Sequence, residues 1–385
     1  MTRAEQRIVY FDHAATSWPK PPEVVDAVVR AMGEAGGNPG RSAHRLGLAA
    51  ARTIAEARTA VASLLGVEDE RDVILTPGCT FGLNLVLAGS LRPGDRVVAS
   101  SVEHNATARP LARLAAAGVE VSVVQADSDG LIDPDDVDVA VRARPTRAVV
   151  CQHASNVTGV IQPVGDLADI AHEHGAVLIV DGAQGVGHLP VDLTALGADA
   201  YSCAGHKGLL GPQGIGALYL APDFEPEELV QGGSGGSSGD DGPPTGRPDR
   251  YEAGTANTPG AAGLGAGATL LLATGPEIWA EERHLTRRLH EGLLEVPGMR
   301  VLGPPPGVER VPVVSVVHSR LSPDEMAFAL DHRWGIAVRG GLHCSPWAHG
   351  TVGTRERGAV RFSVGLGLTD ADVDLALAAM QELCS

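Results

Sequence analysis

Aromatic side chains are scarce: Phe, Trp and Tyr together make up 3% of the 385 residues. A protein that stacks bases on aromatic platforms is not built this way. Positive charge is also in deficit. The formal net charge of −17 argues against nucleic acid or an anionic membrane as a partner, since both would be repelled. No apolar run approaches the roughly 20 residues that a spanning helix needs. Residues 1–7 have no apolar segment behind them, so no secretory leader is expected. Cysteine is sparse and dispersed: Cys79, Cys151, Cys203, Cys344 and Cys384 are odd in number and form no CxxC pair. Neither a disulfide framework nor a metal site is expected from them, and a reducing cytoplasm fits.

What is present is a chain long enough for a large domain and a smaller one, with 44% hydrophobic residues. Apolar runs at 73–76, 96–101, 119–124, 147–152 and 176–181 read as strands, and segments of helical period separate them. That alternation predicts an α/β class. Residues 8–12 read as a short strand. Prolines 19, 21 and 22 open a helix over 23–33, and 46–65 is a long alanine-rich helix. Near the C-terminus, 311–317, 335–339 and 359–364 read as strands. Ser322 and Thr369 start helices, the latter running to about residue 384. Two helices are expected at 261–273 and 276–294, parted at Pro276. The glycine-rich run 232–239 reads as a linker by composition, with a mobile loop over a site as the competing view.

Several chemistry-bearing residues fall at the carboxyl ends of those strands, the edge where open α/β sheets bind ligands. After 73–76 comes Pro77-Gly78-Cys79-Thr80 and a helix start, a ready anion site. His104 follows 96–101, and Asn156 follows 147–152. Asp181 closes a nearly all-apolar strand. It reads either as a helix N-cap or as the counter-charge of a cationic ring nitrogen. Lys207 sits between the strand end Tyr201-Ser202-Cys203 and a turn with Gly208, Gly211, Gly214 and Gly216. Such a lysine is either an ordinary surface charge or an amine that forms a Schiff base with an aldehyde cofactor. In Arg339-Gly340-Gly341-Leu342-His343-Cys344, the cysteine on a loop near cationic groups is a candidate nucleophile, and His343 could be a plain loop residue.

Taken together, these motifs resemble the pyridoxal-phosphate enzymes of aminotransferase class V, and within them the cysteine desulfurase and selenocysteine lyase family, group II-like. The resemblance runs from Tyr10-Phe11-Asp12-His13 to the last helix. It rests most on Gly205-His206-Lys207, Val180-Asp181-Gly182-Ala183-Gln184, Val102-Glu103-His104, Glu252-Ala253-Gly254-Thr255 and the Cys344 motif. It implies fold type I, a large domain over 18–255 with a mostly parallel seven-stranded sheet, a small α/β domain from 1–17 and 256–385, and a homodimer. It implies pyridoxal 5′-phosphate bound by Lys207 as a Schiff base, Asp181 on the ring nitrogen, His104 on the ring face and Gln184 on the phenolic oxygen. Asn156 would touch cofactor or substrate. Cys79, Thr80 and His206 would hold the phosphate, and Thr255 would reach the phosphate of the partner subunit's cofactor. Arg361 would take the substrate carboxylate, with Ala14 on the substrate side. Lys207 would move the Cα proton and Cys344 would accept sulfur. The chain departs from the family at Ala204 and Cys79, each replacing a hydroxyl donor. The implied activity is conversion of L-cysteine to L-alanine with sulfur passed to a cysteine and then to an acceptor protein. Selenocysteine lyase, or an epimerase, β-lyase or aminotransferase of the same class, is the alternative, and a non-catalytic scaffold the least favoured reading.

Overall fold

A computed structural model describes residues 7–40, 43–233 and 244–385. Most of the glycine-rich run expected at 232–239 therefore lies outside the described residues. In chain order the strands are β1 (Val9–Tyr10), β2 (Val73–Thr76), β3 (Arg96–Ser100), β4 (Glu120–Val124), β5 (Ala148–Gln152), β6 (Val177–Asp181), β7 (Ala200–Ala204), β8 (Gly216–Leu220), β9 (Met299–Val301), β10 (Val313–His318), β11 (Ile336–Ala337), β12 (Arg339–Gly341) and β13 (Ala359–Ser363).

Seven of them form one sheet in the order β2-β8-β7-β6-β5-β3-β4. Only β8 runs against its neighbours β2 and β7, so the sheet is mostly parallel, as expected. All five residues of β3, β5, β7 and β8 are buried. Helices cover both faces, which is why these strands are continuously apolar rather than alternating. Alternate residues feed opposite faces. Val149, Cys151, Leu178 and Val180 pack with Val61, Leu65, Leu167 and Leu264 on one side. Val150, Ile179 and Leu218 pack with Leu83, Leu87 and Leu111 on the other.

A second core gathers Val9, Phe11, Leu289, Val314, Val316, Val360, Phe362 and Ala376. It lies on the antiparallel sheet β12-β13-β10-β9, beside the parallel pair β1-β11. The first strand is thus tied to the last third of the chain.

Three points differ from expectation. The break at Pro276 is absent: one helix, Thr258–Leu294, runs through it. Proline removes one hydrogen bond, to the carbonyl four residues back. That residue, Leu272, is 48% exposed, so water can reach the freed carbonyl. Packing at both ends holds the helix together, with Leu264 in the first core and Leu289 in the second. Strand β8 was not anticipated, because its five residues directly follow the glycine-rich turn. The stretch 335–339 is two strands, β11 and β12, rather than one.

Candidate active site

The carboxyl ends of β3, β5, β6 and β7, the turn after β2, and the segment β12–β13 converge on one cavity of about 760 Å³. Cys79, Thr80, His104, Asn156, Asp181, His206, Lys207 and Arg361 line it, as do Ala14, Arg339 and His343. The polar strand ends singled out in the sequence are therefore neighbours in space.

Lys207 follows β7 on a turn whose chain path is strictly fixed. The carbonyl of His206, on the peptide bond leading into Lys207, accepts from Ser17 N at 2.8 Å and from Thr16 Oγ1, Ser17 Oγ and Lys20 Nζ at 3.2 Å each. Lys20 Nζ also donates to Ser17 Oγ at 2.7 Å. On the other side Leu210, at φ +60°, donates its N–H to the Lys207 carbonyl. Burial pushes the Lys207 amine below the usual lysine value; Asp181 and Cys79 oppose this, and Arg361 and Arg339 reinforce it. A neutral amine is the form that attacks a carbonyl carbon.

Asp181, 4% exposed, ends β6. Its Oδ1 accepts from Ala183 N at 3.0 Å and from the Cys79 thiol at 3.3 Å. No helix starts there, so Asp181 closes a turn rather than capping a helix. Its Oδ2 makes no hydrogen bond among the described residues, which leaves it free for a cationic donor. Cys79 corrects an expectation. Its thiol faces Asp181 and the Ser202 carbonyl, at 3.2 Å, rather than the mouth of the helix. Burial and the Asp181 charge push that thiol well up, so it stays protonated and donates. What Cys79 offers an anion is its backbone N–H. The helix Cys79–Ser90 starts after Gly78, at φ +152°, with no side-chain cap, so its first N–H groups are open. The His206 ring has a buried Nδ1 without a partner among the described residues.

His104 caps the helix Asn105–Ala116, its Nδ1 accepting from Ala106 N at 3.0 Å. Burial lowers it to about 4, against the pull of Asp181, so the ring that lines the cavity is neutral. Behind it, the fully buried Glu103 ties β3 to β5 by accepting from Ser100 Oγ and from Gln152 N at 3.0 Å. Gln184 is buried but does not line the cavity: its Nε2 donates to the Ala14 carbonyl at 2.9 Å, and its Oε1 has no partner among the described residues.

Asn156 lines the cavity, as expected, but its amide is also engaged elsewhere. Its Nδ2 donates to the His343 carbonyl at 2.8 Å and its Oδ1 accepts from Ser345 Oγ at 2.7 Å. Both ends of the amide therefore grip the loop around Cys344. Arg361, 1% exposed, pairs with Asp12 at 2.7 Å and donates to the Asn156 carbonyl, while its Nε has no partner among the described residues. Cys344 is the one exposed cysteine of the five. It does not line the cavity wall, but its neighbour His343 does. Arg339 Nη2 donates to the Cys344 sulfur at 3.3 Å. Thr255 is exposed and away from this cavity. Sequence reasoning overlooked Arg339, although it lay in the quoted motif, and Lys20, whose signal was submerged in a run of prolines.

Residues 9–376 match the Aminotransferase class-V family, and the chain belongs to it. Two relatives are described as "Probable cysteine desulfurase". That of Methanothermobacter thermautotrophicus is 35% identical over 382 residues, covering 97% of this chain and 94% of its own. That of Pyrococcus abyssi is 36% identical over 357 residues, covering 88% and 86%. Among solved structures, the apo cysteine desulfurase from Thermococcus onnurineus NA1 superposes with a TM-score of 0.90 at 33% identity, covering 98% of this chain and 94% of that one.

Proposed function

We propose that this chain is a pyridoxal 5′-phosphate-dependent cysteine desulfurase that converts L-cysteine to L-alanine and takes the sulfur onto Cys344. The observation that carries the reading is the one cavity joining Lys207, Asp181 and His104 to Arg361, with an exposed cysteine at its rim. The cavity also fits the cofactor. The uncapped helix at Cys79 and the orphaned His206 Nδ1 suit a phosphate. The unbonded Oδ2 of Asp181 suits a protonated ring nitrogen, and the neutral His104 ring suits an aromatic face. When bound, the cofactor supplies an electrophilic carbon and an electron sink.

The protein's own groups then divide the work. Lys207 anchors the cofactor and moves the proton at the substrate Cα. Asp181 holds the positive charge that keeps the sink electron-poor. Thr80 adds a polar contact near the phosphate, Gln184 braces the Ala14 carbonyl behind the cavity wall, and Thr255 serves the partner subunit's site. Arg361, already desolvated, binds the substrate carboxylate and fixes the Cα–H bond, while Ala14 leaves room beside it. Asn156 holds the loop that delivers Cys344. The substrate's Cβ–S bond breaks, a sulfur–sulfur bond forms on Cys344, and the thiol proton and the bond electrons are retained in alanine. Thiol plus cysteine gives persulfide plus alanine without an added oxidant.

The working unit is a homodimer: Val29 and Met32 expose 63% and 68% of their surface on one helix, a face suited to a second copy. The chain divides into 18–255 and 1–17 with 256–385, the helix Thr258–Leu294 bridging the two units with Leu264 in the first core and Leu289 in the second. An acceptor protein collects sulfur from the exposed Cys344, in a reducing cytoplasm suited to five free thiols. L-Cysteine turnover with and without Cys344→Ser is the test. Wild type yields alanine and sulfide, and the variant loses both. Equal activity in the two would overturn the persulfide route, and turnover of selenocysteine alone would assign the lyase.

A further inference from the structure

His343 and Cys344 take φ values of +49° and +58°, a conformation that non-glycine residues adopt at a cost. Something must hold two consecutive residues there. Main-chain contacts supply part of the restraint: Asn105 N donates to the Cys344 carbonyl at 2.9 Å, and Asn156 grips both flanks. The rest comes from the His343 ring, which is buried and spans from the Arg339 carbonyl, 3.0 Å from Nε2, to His349 Nε2, 3.1 Å from Nδ1. His349 Nδ1 in turn lies 2.7 Å from Thr354 Oγ1.

The protons in this chain can be assigned from its end. A backbone carbonyl only accepts, so His343 Nε2 carries hydrogen. Burial pushes His343 well down and His349 to about 4, so both rings are neutral near pH 7. His343 Nδ1 is therefore an acceptor, His349 Nε2–H the donor to it, and the Thr354 hydroxyl the donor to His349 Nδ1. One direction runs through all three bonds, from Thr354 to the Arg339 carbonyl. Without His349, the His343 ring is free to take the other tautomer, which turns a lone pair toward that carbonyl and opens the loop.

We propose that the His343–His349–Thr354 chain is a positioning device that locks the tautomer of His343 and so sets the Arg339 guanidinium on the Cys344 sulfur. His343 closes the loop from Arg339 to Cys344, and both side chains hang from that closed loop. The 3.3 Å contact between them follows from it. His349 and Thr354 do not line the cavity and act only through His343. The part this plays in sulfur transfer rests on the function proposed above, but the geometry does not.

The test reads Cys344 directly in the full-length holoenzyme. The other four cysteines are buried, so alkylation reports one thiol, and Cys344→Ser supplies the blank. A guanidinium on the sulfur favours the anionic reagent iodoacetate over neutral iodoacetamide, and the ratio of the two rates measures that contact. Arg339→Gln gives the ratio without the cation. His349→Leu should lower the ratio about 3- to 10-fold toward that value, the span expected for loss of one buried hydrogen bond. His349→Gln, whose amide N–H replaces Nε2–H, should restore it to within about 2-fold of wild type. Thr354→Val should fall between. A wild-type ratio in His349→Leu or, if that variant does not fold, in Thr354→Val would overturn the proposal. So would a glutamine variant no better than leucine. Cysteine turnover by wild type is scored separately, so a chain that alkylates as expected but makes no alanine refutes the desulfurase reading alone.

Discussion

Glu252 offers a sharp test of how the site is braced. Its Oε1 accepts from Arg58 Nη1 at 2.6 Å and from Leu75 N at 2.6 Å, and its Oε2 accepts from Arg58 Nη2 at 2.9 Å. The Arg58 and Glu252 side chains are 9% and 13% exposed. This bidentate pair joins the helix Arg45–Leu64 to β2 and to the segment that leads to Thr255. Glu252→Gln keeps an acceptor for Leu75 N but leaves the guanidinium buried without its counter-charge. Breaking a buried pair costs about 3–5 kcal/mol, and with one acceptor kept we expect about 2–3 kcal/mol. With unfolding entropy of roughly 2 cal/mol/K per residue, that loss lowers the Tm of this chain by about 3–4 °C. The assay is urea unfolding of wild type, Glu252→Gln, Arg58→Met and the double variant. Removing Arg58 in the Glu252→Gln background should recover at least about 1 kcal/mol, since no charge is then stranded. A single-variant loss under about 1 kcal/mol, or no coupling between the two sites, refutes the reasoning.

Acid should weaken the fold. His13 is lowered to about 3, and His104, His153, His206, His290 and His349 to about 4, chiefly by burial. The unfolded chain takes up these protons near pH 6.5 and the folded one does not, so stability is full above that pH and is lost as pH falls from about 6.5 toward 4. Glu103, raised to about 8 by burial, acts in the opposite sense, its contribution fading as pH rises from the ordinary glutamate range to 8. Six groups outweigh one, and a urea midpoint that stays flat from pH 7 to 5 would contradict this. Gly182→Ala should disrupt the site, because a Cβ there would overlap the buried Tyr201 ring; the expected loss is about 2–3 kcal/mol, and a soluble variant with the wild-type midpoint refutes it. Arg361→Gln should cut kcat/KM for L-cysteine about 10- to 100-fold, the worth of a charge-assisted bond, and unchanged kinetics would remove Arg361 from the carboxylate site.

Much of this site was legible because its residues sit where a buried strand stops. Asp181 and Lys207 stand out against apolar runs, and the strands before them are apolar for a reason that sequence alone conveys. What escaped reading was side-chain direction. Cys79 could be placed at a helix start, but its thiol turns to Asp181, 102 positions away. Asn156 could be placed at a strand end, but its amide is taken by a loop 187 and 189 positions on. The helix through Pro276 defied its local signal because two cores hold its ends. His349 carried no signal at all, since only the fold brings it to His343.

The contacts of residues 9–17 bear on how the site comes into being. Val9 pairs with Ile336, Asp12 with Arg361, the Ala14 N–H with Ser363 Oγ, and Ser17 with the carbonyl before Lys207. The segment 9–17 thus finds its place only when residues 349 positions further along have emerged. Until then the turn before Lys207 lacks its floor and Arg361 lacks its Asp12 partner. Closing the loop between these two distant segments is therefore a condition for assembling the cavity, and its entropy cost falls on the site itself.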